Sequence, residues 1–314
     1  MTNSSRNILT LSLITGVGAS FIKKNVSLVS NYADSIDMLT SIGGKVTLEK
    51  FNDQKDRAQW IIDRCKKEGI EVISIIDDLY PRALKEIKDP PPIIYVKGDP
   101  VLLNKAIAII GTRRSSALGN SIAARVGKYF SRDWSICNGL VEGIDKHSIL
   151  VDGAVLPNVI GVLSSGLNYF ENASKVTAEL ADLVLSNNGV LVSEHEPDKK
   201  EDQFSGSKAS RIQAGLARGL ILVQSSISGG SKYTLKAFSE LNRPLGVIAF
   251  EGNREYDQDD LFGANRLLAG QQVEGLIEIC DIKVRSKVRV SDVQTISRKA
   301  DYISFTEKVK RITA

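Results

Sequence analysis

Between residues 71 and 250 the chain carries short apolar runs at near-regular spacing, each closed by glycine or by a polar segment. Eight of them have strand length and composition: Glu71–Ile75, Ile93–Lys97, Ala106–Ile110, Trp134–Cys137, Val159–Leu163, Val190–Ser193, Leu220–Gln224 and Leu245–Phe250. Apolar residues at helical spacing fill most of the intervals, near 118–130, 143–153, 172–187, 211–218 and 231–241. Strand alternating with helix predicts an α/β fold, a doubly wound and mostly parallel sheet with right-handed crossovers and helices on both faces. Pro90-Pro91-Pro92 cannot be helical and marks a rigid lead-in to the sheet. Residues 1–66 read differently, as a small helical domain with a Gly16-Val17-Gly18 turn of helix-hairpin-helix character. Residues 67–280 hold the α/β pattern, and residues 281–314 form a basic tail.

One segment carries the most chemistry. Ile107 to Gly119 reads as a strand, a polar turn with two arginines and two serines, and the start of a helix. That geometry aims backbone N–H groups and a helix N-terminus at an anion, and arginine adds fixed charge suited to phosphate. Gly111, Thr112, Arg113, Arg114, Ser116 and Gly119 are therefore candidate phosphate ligands. A second glycine-rich turn, Ser228-Gly229-Gly230-Ser231 followed by Thr234, follows the strand ending at Gln224 and is assigned the same role. Arg211 and Arg218, seven apart, are expected on one helix face.

Charge and composition narrow the picture. The chain of 314 residues has 42% hydrophobic and 25% charged residues, ordinary globular values. Its net charge of +4 sits almost wholly in the tail, where nine Lys or Arg face four Asp or Glu. There Lys283, Arg285, Lys287 and Arg289 alternate with smaller residues, so an extended strand would put four cations on one face. Such a face either guards a sheet edge or meets nucleic acid or an acidic partner. Cys65, Cys137 and Cys280 are far apart and lack metal-ligand spacing, which points to a reducing, cytoplasmic setting. No run reaches membrane-spanning length. His195 lies between Glu194 and Glu196, but neighbours on a strand face opposite ways, so neither a metal nor a catalytic role is assigned.

These motifs, in this order, resemble the DprA/Smf family of DNA-processing proteins, which shares a Rossmann-like superfamily with the cytokinin-activating LOG enzymes. The likeness runs from about residue 8 to 280: LSLITGVG, the Tyr80–Asp99 lead-in, IIGTRRSSALG, the Gly139–Asp145 glycine motif, Ser193-Glu194, Phe204, the run from Arg211, the SGGSKYT run and Asn242-Arg243-Pro244. The resemblance adds Gly139 and Gly143 to the candidate ligands and favours Arg113 and Arg211 among the arginines. It implies a non-enzymatic binder of single-stranded DNA without a cofactor, acting as a homodimer that loads the RecA recombinase. Tyr169, Phe170 and Phe204 are the aromatics expected nearest the groove, and Asp145 is expected to order the 139–145 turn.

There are departures. Asn138 and Glu142 replace the family's usual Ser and Arg, Ile149 stands where a histidine is usual, and Ala209-Ser210 precede Arg211 where an Arg-Asn pair is usual. The 281–314 segment is too short for the usual C-terminal winged helix. A divergent paralogue is expected, with phage defence or a toxin–antitoxin pair as settings. Two alternatives stay open, a LOG-like nucleotide hydrolase and an inhibitory partner of another protein such as a toxin. Against the hydrolase, the position of the LOG catalytic Glu holds Ala237.

Overall fold

The apolar runs become strands because burial on both faces of a parallel sheet demands continuous hydrophobic segments. The computed structural model describes residues 1–31, 35–42 and 46–313. Its strands are β1 (Glu71–Ser74), β2 (Ile93–Gly98), β3 (Ala106–Gly111), β4 (Ser135–Asn138), β5 (Leu150–Val151), β6 (Ala154–Val155), β7 (Val159–Val162), β8 (Val190–Ser193), β9 (Ala217–Gln224), β10 (Pro244–Ile248) and β11 (Asp292–Ile296). Nine of these form one sheet in the order β1-β2-β8-β7-β4-β3-β9-β10-β11. All pairings from β8 to β11 are parallel, and β2 runs against both of its neighbours. From β3 the chain winds outward first through β4, β7 and β8, then returns to β9 on the other side. The β3–β9 junction is thus the point where the winding direction switches, where doubly wound sheets open a ligand crevice at the carboxyl ends.

The N-terminal helices Asn3–Ser12, Ala19–Asn31, Ser35–Ile42 and Leu48–Lys67 pack Leu9, Leu11, Ile22, Phe51 and Ile61 into the same core as the sheet. Two ion pairs tie the last of them to the segment after β8: Arg57 with Glu196 at 2.9 Å and Arg64 with Asp198 at 2.8 Å.

Three expectations need correction. The stretch expected to be helical over 143–153 is a short helix, Ile144–Ile149, followed by the β5–β6 hairpin. Asp152 and Gly153 both take positive φ, 53° and 82°, the backbone of a two-residue hairpin turn that favours Asp-Gly. Arg218 lies in β9, past the end of helix Ser205–Leu216, so it does not share a helix face with Arg211. The 281–314 segment is no loose tail. Strand β11 extends the sheet, and helix Lys299–Thr313 lays Phe305 and Val309 over the sheet core. The cations at 283–289 precede that strand, around a 3₁₀ turn at Arg285–Lys287.

Arg243 shows what holds the C-terminal half together. It is 1% exposed. Its guanidinium donates to the carbonyls of Gly215 (2.9 Å), Ala217 (2.6 Å) and Ala83 (2.8 Å), and to Glu86 (2.7 Å). It thereby satisfies the carbonyl end of helix Ser205–Leu216, which has no intrahelical donors left. Arg243→Ala strands those buried acceptors. Denaturant unfolding should show a loss of about 2–4 kcal/mol, and a change below about 0.5 kcal/mol would mean the carbonyls find water instead.

Candidate nucleic-acid interface

At the switch point, four strand ends converge on a cavity of about 670 Å³. Gly111, Thr112, Arg113 and Arg114 after β3 form one wall. Gly139, Val141 and Asp145 after β4 form the floor with Val162 and Ser164 of the β7 end. The opposite wall is helix Ser205–Leu216 and the residues just before it, with Gln203, Phe204, Ser207, Ser210 and Gln213. Gly230, Ser231, Tyr233 and Thr234 close the remaining side.

The turn after β3 is held from beneath by Gln224, the last residue of β9. The Gln224 carbonyl accepts from Thr112 N at 2.8 Å. Its side-chain Oε1 accepts from Ser116 N at 3.0 Å, and Nε2 donates to Ser116 Oγ at 2.9 Å. Ser116 Oγ in turn caps helix Ala117–Phe130 by accepting from Gly119 N at 3.1 Å. A Cβ on residue 119 would stand 2.2 Å from Gln224 Oε1, so a larger residue there would displace the clamping amide. Ser116 and Gly119 therefore build the turn rather than line the cavity, a correction to their assignment as ligands. Gly143 also works from behind: at φ +86° it lies against the carbonyls of Thr112 and Arg113 and locks the two glycine turns together. Arg113 and Arg114 are exposed, and neither forms an ion pair among the described residues.

Of the second turn, Gly230, Ser231 and Thr234 line the cavity, whereas Ser228 and Gly229 do not. Ser231 Oγ is buried without a hydrogen-bond partner among the described residues, at the first turn of helix Ser231–Ser239, where a donor and the helix dipole both favour an anion. Arg211 is not in the cavity. Its guanidinium is 17% exposed and held by Glu194 at 2.7 Å and Asp89 at 3.0 Å, so its charge is spent internally. Glu194 and Glu196 thus each serve an arginine, Arg211 and Arg57. Glu142 pairs with Lys146 at 3.1 Å beside the rim, which mutes its charge. Of the expected aromatics only Phe204 reaches the cavity; Tyr169 is buried and Phe170 lies elsewhere, while Tyr233 was not anticipated. Ser207, Ser210 and Gln213 also escaped notice, although their spacing of three marks one helix face.

Asp145 orders the floor. Its Oδ2 accepts from Gly139 N at 2.8 Å, and Asn138 Nδ2 donates to its carbonyl at 3.1 Å. Burial pushes the Asp145 carboxyl up to about 7, against the pull of the N–H groups of Gly139 and Val141 and of Arg113. Protonation of Asp145 removes a negative charge facing Arg113.

This geometry has known relatives. The family model described as DNA recombination-mediator protein A matches residues 71–282. The chain belongs to that family. It is 31% identical to the DNA processing protein DprA of Bacillus subtilis over 234 residues, which is 73% of this chain and 76% of that protein. It is 32% identical to DprA of Streptococcus pneumoniae, covering 56% of this chain and 61% of that one, and 30% identical to protein Smf of Escherichia coli, where it spans 49% of the relative. The crystal structure of pneumococcal DprA shares the fold over 97% of this chain and 98% of its own, at a TM-score of 0.68 and 23% identity. DprA from Helicobacter pylori, described for its single-stranded DNA binding mode, aligns over 76% of this chain and 96% of its own with a TM-score of 0.57 and 24% identity. Among the described residues no helix is long and apolar enough to cross a membrane.

The raised Asp145 carboxyl has a stability signature. Its folded value, about 7, lies above the ordinary 3.8, so the folded state keeps a proton that the unfolded chain has lost. Stability is then greatest below the unfolded value and declines as pH rises from about 4 to about 7. The Asp145→Asn variant removes this decline while keeping an acceptor for Gly139 N. Between pH 5 and 8 it should gain stability relative to the parent, on the order of 3–4 kcal/mol at the upper end. Melting curves that run parallel for the two proteins would show that Asp145 ionises freely.

Proposed function

We propose that the chain binds single-stranded DNA in the cavity at the β3–β9 switch point, as a DNA-processing protein acting in recombination. The observation that carries this reading is the pairing of chemistries across one opening. Arg113 and Arg114 stand unpaired on one wall, and the exposed rings of Phe204 (63%) and Tyr233 (50%) stand on others. Cations meet phosphates, and ring faces stack on unpaired bases of any sequence. A duplex has its bases stacked inward and offers only its backbone, so a narrow cavity with stacking rings selects single strands. The names of the DprA relatives, and the DNA binding described for the Helicobacter pylori protein, point the same way. Family resemblance extends the proposal to a homodimer that delivers the strand to a RecA recombinase. The operon settings considered above, phage defence or a toxin–antitoxin pair, rest on the sequence departures alone.

The competing reading, nucleotide hydrolysis, lacks its expected group. On helix Ser231–Ser239 the position of the LOG catalytic carboxylate is Ala237, and Asp145 is committed to the Gly139 turn.

Purified protein should bind single-stranded oligonucleotides more tightly than duplex of the same length, with affinity falling steeply as salt rises. Arg113→Ala should weaken that binding by about 1–3 kcal/mol, the worth of a charge-assisted hydrogen bond. Its melting temperature should hold, since the side chain is exposed. Equal affinity for both DNA forms, or an Arg113→Ala variant that binds as the parent does, overturns the proposal. Release of free base from a nucleoside monophosphate would favour the hydrolase.

A further inference from the structure

Helix Ser231–Ser239 starts at the cavity and leads away from it. Lys232 and Lys236 are four residues apart and so share one side of the helix. The segment 280–289 follows the same helix. At its start Cys280 Sγ lies 3.7 Å from the Lys232 carbonyl, and at its end Arg289 N donates to the Ser239 carbonyl at 2.7 Å. Segment and helix therefore run side by side for about 10 Å, the helical rise from Lys232 to Ser239. Both lysines are close enough to Asp281 to help Lys283 hold its carboxyl below the usual range.

Charge along this seam is unevenly spent. Lys283 pairs with Asp281 and Arg285 with Glu274. Lys236, Lys287 and Arg289 are exposed, and neither they nor Lys232 make an ion pair among the described residues. Glu240 and Glu278 are the remaining exposed carboxylates on the adjoining elements, leaving the seam net positive. The ordinary explanation for such a run, a charged guard on a sheet edge, does not apply. The edge strand is β11, and the cations at 283–289 stand outside it. They also lie beyond residue 282, where the family match ends.

We infer that this seam is a second phosphate track, which takes the backbone of single-stranded DNA as it leaves the cavity past Tyr233 and carries it along helix Ser231–Ser239 to Lys287 and Arg289. The inference rests on the cavity being the DNA site. Its ligand is the sugar–phosphate chain alone, since the seam offers cations without an exposed ring beyond Tyr233. A strand that only fills the cavity never reaches it, and a longer strand does.

The test uses the full chain and a triple variant, Lys236→Gln with Lys287→Gln and Arg289→Gln. Both are titrated with oligothymidylates of about 5 and about 25 nucleotides, one near the short end of the usual footprint of a binding module and one well beyond it. For the long strand the variant should bind at least about tenfold more weakly at low salt. The slope of log affinity against log salt should fall by about 2, at about 0.7 per phosphate contact. The short strand should bind both proteins alike. Loss of affinity that is equal for both lengths, or no loss for the long strand, overturns the track while leaving the cavity reading intact. A parent protein that binds neither length overturns both.

Discussion

The site depends on a single buried amide. Gln224 is fully buried at the end of β9 and ties down the turn after β3 through its carbonyl, Oε1 and Nε2 together. A buried amide left unpaired costs roughly 1–3 kcal/mol, so the turn cannot drift without breaking several bonds at once. The clamp also decides how an anion is met. Because Ser116 N, Ser116 Oγ and Gly119 N are already engaged, the N-terminus of helix Ala117–Phe130 has few donors to offer. In the proposed binding mode the anion is met instead by the side chains of Arg113 and Arg114, which project from a rigid turn, and by Ser231 across the cavity. A rigid base under long cationic side chains suits a ligand whose phosphates vary in position along a flexible strand.

The remaining charge is arranged so as not to interfere. Arg211, which the family pattern offers as a ligand, is enclosed by Glu194 and Asp89. Glu142, which reverses the usual charge of its position, is answered one helical turn later by Lys146. Asp145 sits in the floor at the edge of ionisation. Protonating it removes a carboxylate charge that faces Arg113, so acid conditions should favour an anionic ligand as well as the fold.

Much of this was legible in the sequence because a parallel sheet writes itself as bare apolar runs. All eight expected strands exist, and Gly111 to Arg114 stand where a strand–turn–helix reading puts them. What escaped follows a pattern. The alternation from Lys283 to Val290 has the period of a strand, but Val284 is exposed and only Val288 and Val290 reach the core in part, and the chain makes a 3₁₀ turn there instead. Strand β11 shows only Val293 and Ile296 to the core, too few to announce themselves. The Asp152-Gly153 hairpin did carry a signal, hidden inside apparent helical spacing. Gln224 carried almost none: one polar residue ending an apolar run is ordinary until the fold brings the Ser116 turn onto it. Arg211 misled because a motif names a residue without naming its partners, and its partners, Asp89 and Glu194, come from distant segments.

The N-terminal helices acquire a role from the same geometry. Arg57 and Arg64 of helix Leu48–Lys67 grip Glu196 and Asp198. Those carboxylates belong to the segment that leaves β8 and delivers Gln203 and Phe204 to the cavity wall. Within it, Asp202 accepts from the N–H groups of Phe204 and Ser205 at 2.9 Å and pairs with Lys199. The Phe204 ring is thus set by a chain of local bonds whose far end is anchored to another layer of the fold. Exposed ion pairs are individually weak, so they add little to global stability. Their effect is to restrict one loop, and that loop carries the ring which faces the arginines. The helical layer and the sheet meet in a shared core, but it is through this segment that the helices bear on the cavity.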